Sequence, residues 1–153
     1  MSNQLETLLA KGAITDAINQ LFIATDQRDW PSVHQVLADS VLLDMSSVGG
    51  GAPSAQTPQQ ITAAWQSGLR HLVAVHHQIG NVVINVKGNE ADAFCYGTAS
   101  HYLPNPSGIN TRTFVGTYDF ALSNNHGSWR IAAFRFKLKY MEGNPTLEQS
   151  AGV

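Results

Sequence analysis

The chain has 153 residues, 43% of them hydrophobic, enough for a substantial core within one domain. Nine basic against eleven acidic residues give a formal net charge of -2, and no basic run exceeds Lys137-Leu-Lys139, which argues against nucleic acid or an anionic membrane as the main partner. Cys95 is the single cysteine, so an internal disulfide and a cysteine-based zinc site are out; with no signal-peptide pattern and no run near the roughly 20 apolar residues of a bilayer span, a cytoplasmic location is expected.

After a short amphipathic lead (Leu5, Leu8, Leu9), the spacing predicts a helix over 13–27 whose apolar stripe is Ile14, Ala17, Ile18, Leu21, Phe22 and Thr25. Asp26 falls at the edge of that stripe, where a carboxylate loses hydration and needs a hydrogen-bond partner. Asp29 and Pro31 open a second short helix with Val33, Val36 and Leu37 inward. Residues 41–45 read as a short strand, and 46–56, rich in Gly and Ser, as a mobile connection or a lid. Thr57, Pro58 and Gln60 make a capping box for a third helix carrying Ile61, Ala64, Trp65 and Leu69 on one face.

From residue 72 the period changes to two. Segments 72–87, 90–103, 112–123 and 128–140 are separated by turn-forming residues and should form an antiparallel meander, with Gly80, Gly97 and Gly116 marking bulges or bends. Helices first and a curved sheet last is an α+β order, with the helices packed on one sheet face around a cavity. The expected organisation is one domain over 1–153, its core spanning 13–140 and its tail, 142–153, polar and loosely held. Apolar residues on both faces of the last strand, Phe134 and Phe136 against Ile131 and Ala133, suggest that the outer sheet face is covered in a homo-oligomer.

No phosphate loop, nucleophile elbow or metalloprotease motif is present, so any chemistry comes from scattered side chains. His34 and His126 are read as solvated, and His71 as a helix-terminal residue. His101, at a strand end, is a candidate for the cavity. Of the adjacent pair His76 and His77, only one can face inward; alternation back from Val82, Ile84 and Val86 selects His76, unless a bulge at Gly80 shifts the register to His77. An imidazole paired with Asp26 would be oriented by the carboxylate and could take a proton on its other nitrogen.

Ala24-Thr-Asp-Gln-Arg-Asp-Trp30, His77-Gln-Ile-Gly-Asn81, Gly116-Thr-Tyr118 and Gly127-Ser-Trp-Arg-Ile131 together resemble the SnoaL-like branch of the nuclear transport factor 2-like superfamily, over nearly the whole chain. The resemblance implies a cone-shaped curved antiparallel sheet packed on three N-terminal helices, the cystatin-like barrel, with a deep apolar pocket. In motif the chain is similar to scytalone dehydratase and hexachlorocyclohexane dehydrochlorinase, whose Asp–His pairs remove a proton from carbon. Those positions are Asp26 and His77 here. The dehydratase's two tyrosines and second pocket histidine correspond to Thr25, Met45 and Ala99, and its pocket asparagine to Tyr118.

The resulting expectation is a cofactor-independent, metal-free lyase of the dehydratase type, or an isomerase, acting on a small, cyclic, mostly apolar molecule. Its catalytic residues would be Asp26 and His77, and its substrate contacts Phe22, Trp65, Tyr96, Tyr118, Phe136 and His101, with Phe114 a further wall. The alternative is a domain that binds or carries such a molecule without turnover.

Overall fold

The computed structural model describes residues 2–153, with side chains from Asn3 onward. Helix α1 (Ser2–Asp26) is continuous and absorbs the lead that the sequence set apart. Only Gly12 interrupts its helix formers, and one glycine costs about 1 kcal/mol, too little to end a helix packed along its apolar face. Ile14, Ala17, Ile18, Leu21, Phe22 and Thr25 are buried, as their spacing requires, while Leu5, Leu8 and Leu9 stand in solvent.

Arg28, in the left-handed region at φ 57°, reverses the chain. Asp29 then caps α2 (Trp30–Val36) by accepting the Ser32 backbone N–H, with Pro31 in the first turn. Leu37, expected on this helix, is already extended and opens strand β1 (Leu37–Asp44). Segment 46–56 contains a 3-10 turn (Ser46–Val48) and a short strand, β2 (Ser54–Gln56). The Ser47 hydroxyl donates to the Phe136 carbonyl (2.8 Å) and accepts the Leu138 N–H (3.0 Å), which ties this segment down. Helix α3 (Pro58–Leu69) starts at Thr57 with both capping-box hydrogen bonds present.

Strands β3 (Ala74–Lys87), β4 (Glu90–Tyr102), β5 (Thr111–Asn125) and β6 (Ser128–Gly143) form the antiparallel meander. The full sheet order is β2-β1-β6-β5-β4-β3, and β1 lies parallel to β6, so the sheet is not wholly antiparallel. A parallel neighbour needs a long crossover, here supplied by α3 and the first three meander strands. The curved sheet and the helices enclose the main core between them.

Three register shifts decide which residues face that core. Between Gly80 and Val83 the pairing of β3 skips, with Asn81 at φ 54°, so His77 and Ile79 face inward with Ile84 and Val86, while His76 is exposed. In β6, Ile131 pairs with Leu122 and Ala133 with Ala121, leaving Ala132 unmatched. Ile131, Phe134 and Phe136 therefore all point to the core, so Ile131 is not on the outer face as alternation suggested, and Ala133 stays outside the core. Beside Gly116, Lys139 of β6 is likewise skipped.

The tail is not loosely held. Helix α4 (Leu147–Ser150) places Leu147 at zero exposure in a second cluster with Leu72, Val75 and Leu103. Asn144 is buried as well: its side chain donates to the Ile109 carbonyl and the Ser150 hydroxyl and accepts from the Thr146 N–H. Leu147 and the Asn144 amide thus help to anchor a segment whose composition is mostly polar.

Candidate active site

Asp26 is the last residue of α1, one turn beyond Phe22, and α1 packs against β3. Arg28 fixes that approach by donating to the carbonyls of Leu72 (2.6 Å) and Leu69 (3.3 Å) ahead of β3. The Asp26 carboxylate is thereby held against the start of β3. Its Oδ2 accepts the backbone N–H of His77 (2.7 Å), and its Oδ1 lies 2.6 Å from His77 Nδ1. An ionised carboxylate only accepts, so Nδ1 carries a proton, and in the neutral imidazole the lone pair is on Nε2. Phe22 stacks on the imidazole with centroids 5.2 Å apart, completing the restraint on the ring.

Among the described residues His77 Nε2 has no hydrogen-bond partner, and His77 borders a cavity of about 480 Å³. Its walls come from α1, α3, the 46–56 segment and the inner sheet face, and they are mostly apolar: Phe22, Trp65, Phe114, Tyr118, Phe134 and Phe136 carry the aromatic part. A volume of this size suits a small molecule.

Two glycines give the floor its shape. A Cβ on Gly97 would sit 1.9 Å from Cε2 of Tyr118, and one on Gly116 would sit 2.7 Å from Cζ of Phe136. Both rings lie across bare backbone, as glycine in a strand permits. Tyr118 is buried, and burial, followed by Cys95 and Asp26, raises its phenol far above the ordinary value. It therefore remains a neutral hydrogen-bond donor at any physiological pH.

Of the side chains singled out from sequence, Phe22, Trp65, His77, His101, Tyr118 and Phe136 line the cavity, with Asp26 directly behind His77. Tyr96 does not. It is 46% exposed on the opposite sheet face, against Phe94 and under the Lys139 ammonium at 4.2 Å. The period-two alternation of β4 sends Cys95, Gly97 and Ala99 inward and Tyr96 outward. His34, expected in solvent, pairs its Nε2 with Thr62 Oγ1 at 2.8 Å and joins α2 to α3.

The sequence reading missed two charged residues beside the cavity. Arg112 of β5 lies directly across from His101 of β4, its terminal nitrogen 3.0 Å from His101 Nδ1, and makes a two-pronged ion pair with Glu148 of α4 at 2.8 Å for each contact. Folding the two strands about the 104–110 loop would have revealed the His101–Arg112 pairing, but nothing local marks Glu148. The bond to Arg112 keeps the Glu148 carboxyl below its usual range. His101 is lowered to about 4, first by burial and then by the Arg112 guanidinium and the neighbouring His77, with Glu148 and Asp26 opposing.

Thr25 spends its hydroxyl on the Leu21 carbonyl (2.6 Å), and Met45, whose side chain is apolar, lines the cavity beside it. Among the described residues no three His, Cys, Asp or Glu side chains converge as a metal ion would require. Among the described residues no helix is long and apolar enough to cross a membrane.

Residues 6–135 match the SnoaL-like domain family. No curated protein sequence matches the chain. Solved structures do: protein Kfla4162 of Kribbella flavida has 22% identity and a TM-score of 0.82, over 86% of this chain and 92% of that one. Hexachlorocyclohexane dehydrochlorinase (LinA) type 2 has 14% identity and a TM-score of 0.78, over 94% of each chain. A candidate scytalone dehydratase of Novosphingobium aromaticivorans has 13% identity and a TM-score of 0.76, over 94% of this chain and 92% of that one. At such identities the structural likeness is one of fold. The chain belongs to the SnoaL-like domain family, with the cystatin-like, nuclear transport factor 2-like α+β architecture of a curved sheet closed by N-terminal helices.

Proposed function

We propose that this protein is a cofactor-independent lyase of the elimination type, acting on a small, cyclic, mostly apolar molecule. The observation that carries the reading is the Asp26–His77 pair: a carboxylate at 2.6 Å sets the imidazole tautomer and leaves Nε2, a proton acceptor, at the wall of an apolar cavity. His77 would take a proton from a carbon acidified by a neighbouring carbonyl, and Asp26 would stabilise the imidazolium. A positioned base of this kind contributes roughly 10²–10⁴ in rate, and desolvation in the apolar pocket adds to it. The family and its dehydratase-like and dehydrochlorinase neighbours support a lyase-type or small-molecule-binding role.

The test is an elimination and isomerisation assay across small cyclic hydroxyketones. Wild type should turn over at least one of them, and a folded Asp26→Asn, His77→Ala double variant should not. Equal activity in both proteins would remove the pair from the mechanism.

Binding without turnover is a second reading, favoured by Thr25 and Met45. Neither can hold a water on a substrate carbonyl, since one hydroxyl is internally bonded and the other side chain is apolar. Tight binding of the same ketones with no product under any condition would select it. A homo-oligomer through the outer sheet face, where Val83 and Tyr96 are exposed, fits either reading. Light scattering on wild type and Tyr96→Glu decides it: one unchanged monomeric mass for both proteins would dismiss the contact.

A further inference from the structure

His101 and His77 border the same cavity, and their ring nitrogens are held in opposite senses. In the β3–β4 ladder His77 pairs with Ala99, so His101, two residues on, is its diagonal neighbour on the inner face. His77 Nδ1 meets an acceptor, the Asp26 carboxylate. His101 Nδ1 meets a donor, the Arg112 guanidinium at 3.0 Å, and a guanidinium has no acceptor to offer. His101 Nδ1 must therefore carry the lone pair, which places its hydrogen on Nε2. Protonating Nδ1 would set N–H against N–H beside a cation.

Arg112 is not free to turn away. Glu148 grips both of its terminal nitrogens, its side chain is 14% exposed, and its plane lies against Phe114 at 5.6 Å. Phe114 also meets the His101 ring edge-on at 5.4 Å. Glu148 itself is held by α4, which Leu147 anchors in the second core cluster. Among the described residues His101 Nε2 has no hydrogen-bond partner, although the ring lines the cavity.

The geometry points to His101 as a second functional residue of this pocket: a neutral imidazole, set by Arg112 and Glu148, whose Nε2–H donates to a substrate carbonyl oxygen as that oxygen becomes an enolate. This rests on the reading of His77 as the base. In that step the C–H bond breaks and its proton passes to His77 Nε2. The electron pair forms a carbon–carbon double bond while the carbonyl π pair settles on the oxygen that His101 faces. A neutral imidazole is too weak an acid to hand over its hydrogen, so His101 polarises without transferring a proton. The substrate class is accordingly an enolisable carbonyl compound; a β-leaving group would then depart with the electron pair of its bond to Cβ and take up the proton held on His77, as the enolate oxygen re-forms the carbonyl and the double bond shifts to Cα–Cβ. Arg112 and Glu148 are positioning residues. The carbonyl contact and the base thus come from β4 and β3, and the C-terminal helix is a structural part of the site.

The experiment has two arms. Nitrogen NMR of protein labelled at histidine reads the tautomers without turnover. At neutral pH His77 should be the Nδ1–H form and His101 the Nε2–H form, and Arg112→Met should release the preference at His101 only. His101 found as Nδ1–H or as an imidazolium would overturn the proposal. In the second arm 4-nitrophenolate, an enolate mimic, and nitrobenzene, which lacks the oxyanion, are titrated into wild type, His101→Phe and His101→Gln. His101→Phe should weaken the phenolate by about tenfold or more and nitrobenzene by less than about twofold, the value of one hydrogen bond to a charged group. His101→Gln, which retains an N–H, should recover part of the loss. Equal losses for both probes would overturn the donor role. An inactive protein with the tautomers as stated would instead sink the elimination reading and leave the donor standing.

Discussion

Asp26 holds His77 by two hydrogen bonds at once, 2.6 Å to the ring Nδ1 and 2.7 Å to the backbone N–H, so one carboxylate fixes both the imidazole and the strand residue that carries it. This separates two jobs that substitution can split. In Asp26→Asn the amide oxygen can still accept the backbone N–H, whereas the amide nitrogen can donate to Nδ1 and drive the proton to Nε2. The base would then be lost with the fold intact. Elimination activity should fall by roughly 10²–10⁴, the value of a positioned base, while the urea midpoint changes little. Matched loss of both would show a merely structural pair.

Gly97→Ala tests the floor of the pocket. The added methyl would collide with the Tyr118 ring, whose nearest atom is 1.9 Å from the ideal Cβ position, and the ring is hemmed in by Phe22, Phe120, Phe134 and Phe136. Overpacking of this kind costs roughly 1–3 kcal/mol, and the double variant Gly97→Ala, Tyr118→Leu should recover part of it. Chemical denaturation of wild type, Gly97→Ala, Tyr118→Leu and the double variant measures the recovery; full additivity of the two single losses would refute the contact.

Leu147→Ala asks whether the tail is part of the fold. Leu147 has no exposed surface and packs with Leu72, Val75 and Leu103, so its truncation should cost about 2–3 kcal/mol, the low end for leucine because the cluster is small and close to the surface. A loss below about half a kilocalorie per mole, the usual range of a surface substitution, would restore the picture of a loose tail.

Stability should fall in acid partly through His101. Unfolded, this imidazole titrates near its ordinary 6.5; folded, burial, the Arg112 guanidinium and the neighbouring His77 lower it to about 4. Between these values the unfolded chain binds a proton that the native state refuses, so stability falls as pH falls from about 6.5 to 4. Glu148 acts in a lower window: its carboxyl is depressed by Arg112, and the stability it contributes above its ordinary 4.5 is lost as pH falls through the folded value. His101→Phe should flatten the upper window and leave the lower one. Urea unfolding across pH 3.5–7 checks this, and an unchanged profile in the variant would contradict it.

Cys95 has no exposed surface, and burial raises its thiol to about 12. A thiol without thiolate character or access is inert. Ellman's reagent should leave the native protein unmodified for as long as it stays folded and react fully in denaturant. Fast native labelling would mean that this part of the sheet opens locally.

The order of the first three helices and the four long strands, the inward stripe of α1 and both helix caps were legible in the sequence, because each depends on contacts within a few residues: a 3.6-residue period, an aspartate three positions before a donor, a glutamine reaching back to a threonine. So was the question posed by Asp26, a carboxylate at the edge of an apolar face. What answered it was long-range. The skipped pairing between Gly80 and Val83 turns His77 rather than His76 inward, and the unmatched Ala132 puts Ile131 on the same face as Phe134. A register shift displaces every residue beyond it, yet costs so little locally that alternation alone does not reveal it. Tyr96 was misplaced because aromatic character does not encode a face. Arg112 and Glu148 stayed hidden because 36 residues separate them and only the docking of α4 brings them together. Local chemistry settled which elements form; the pairing of strands and the burial of Leu147 settled which side chains share the cavity.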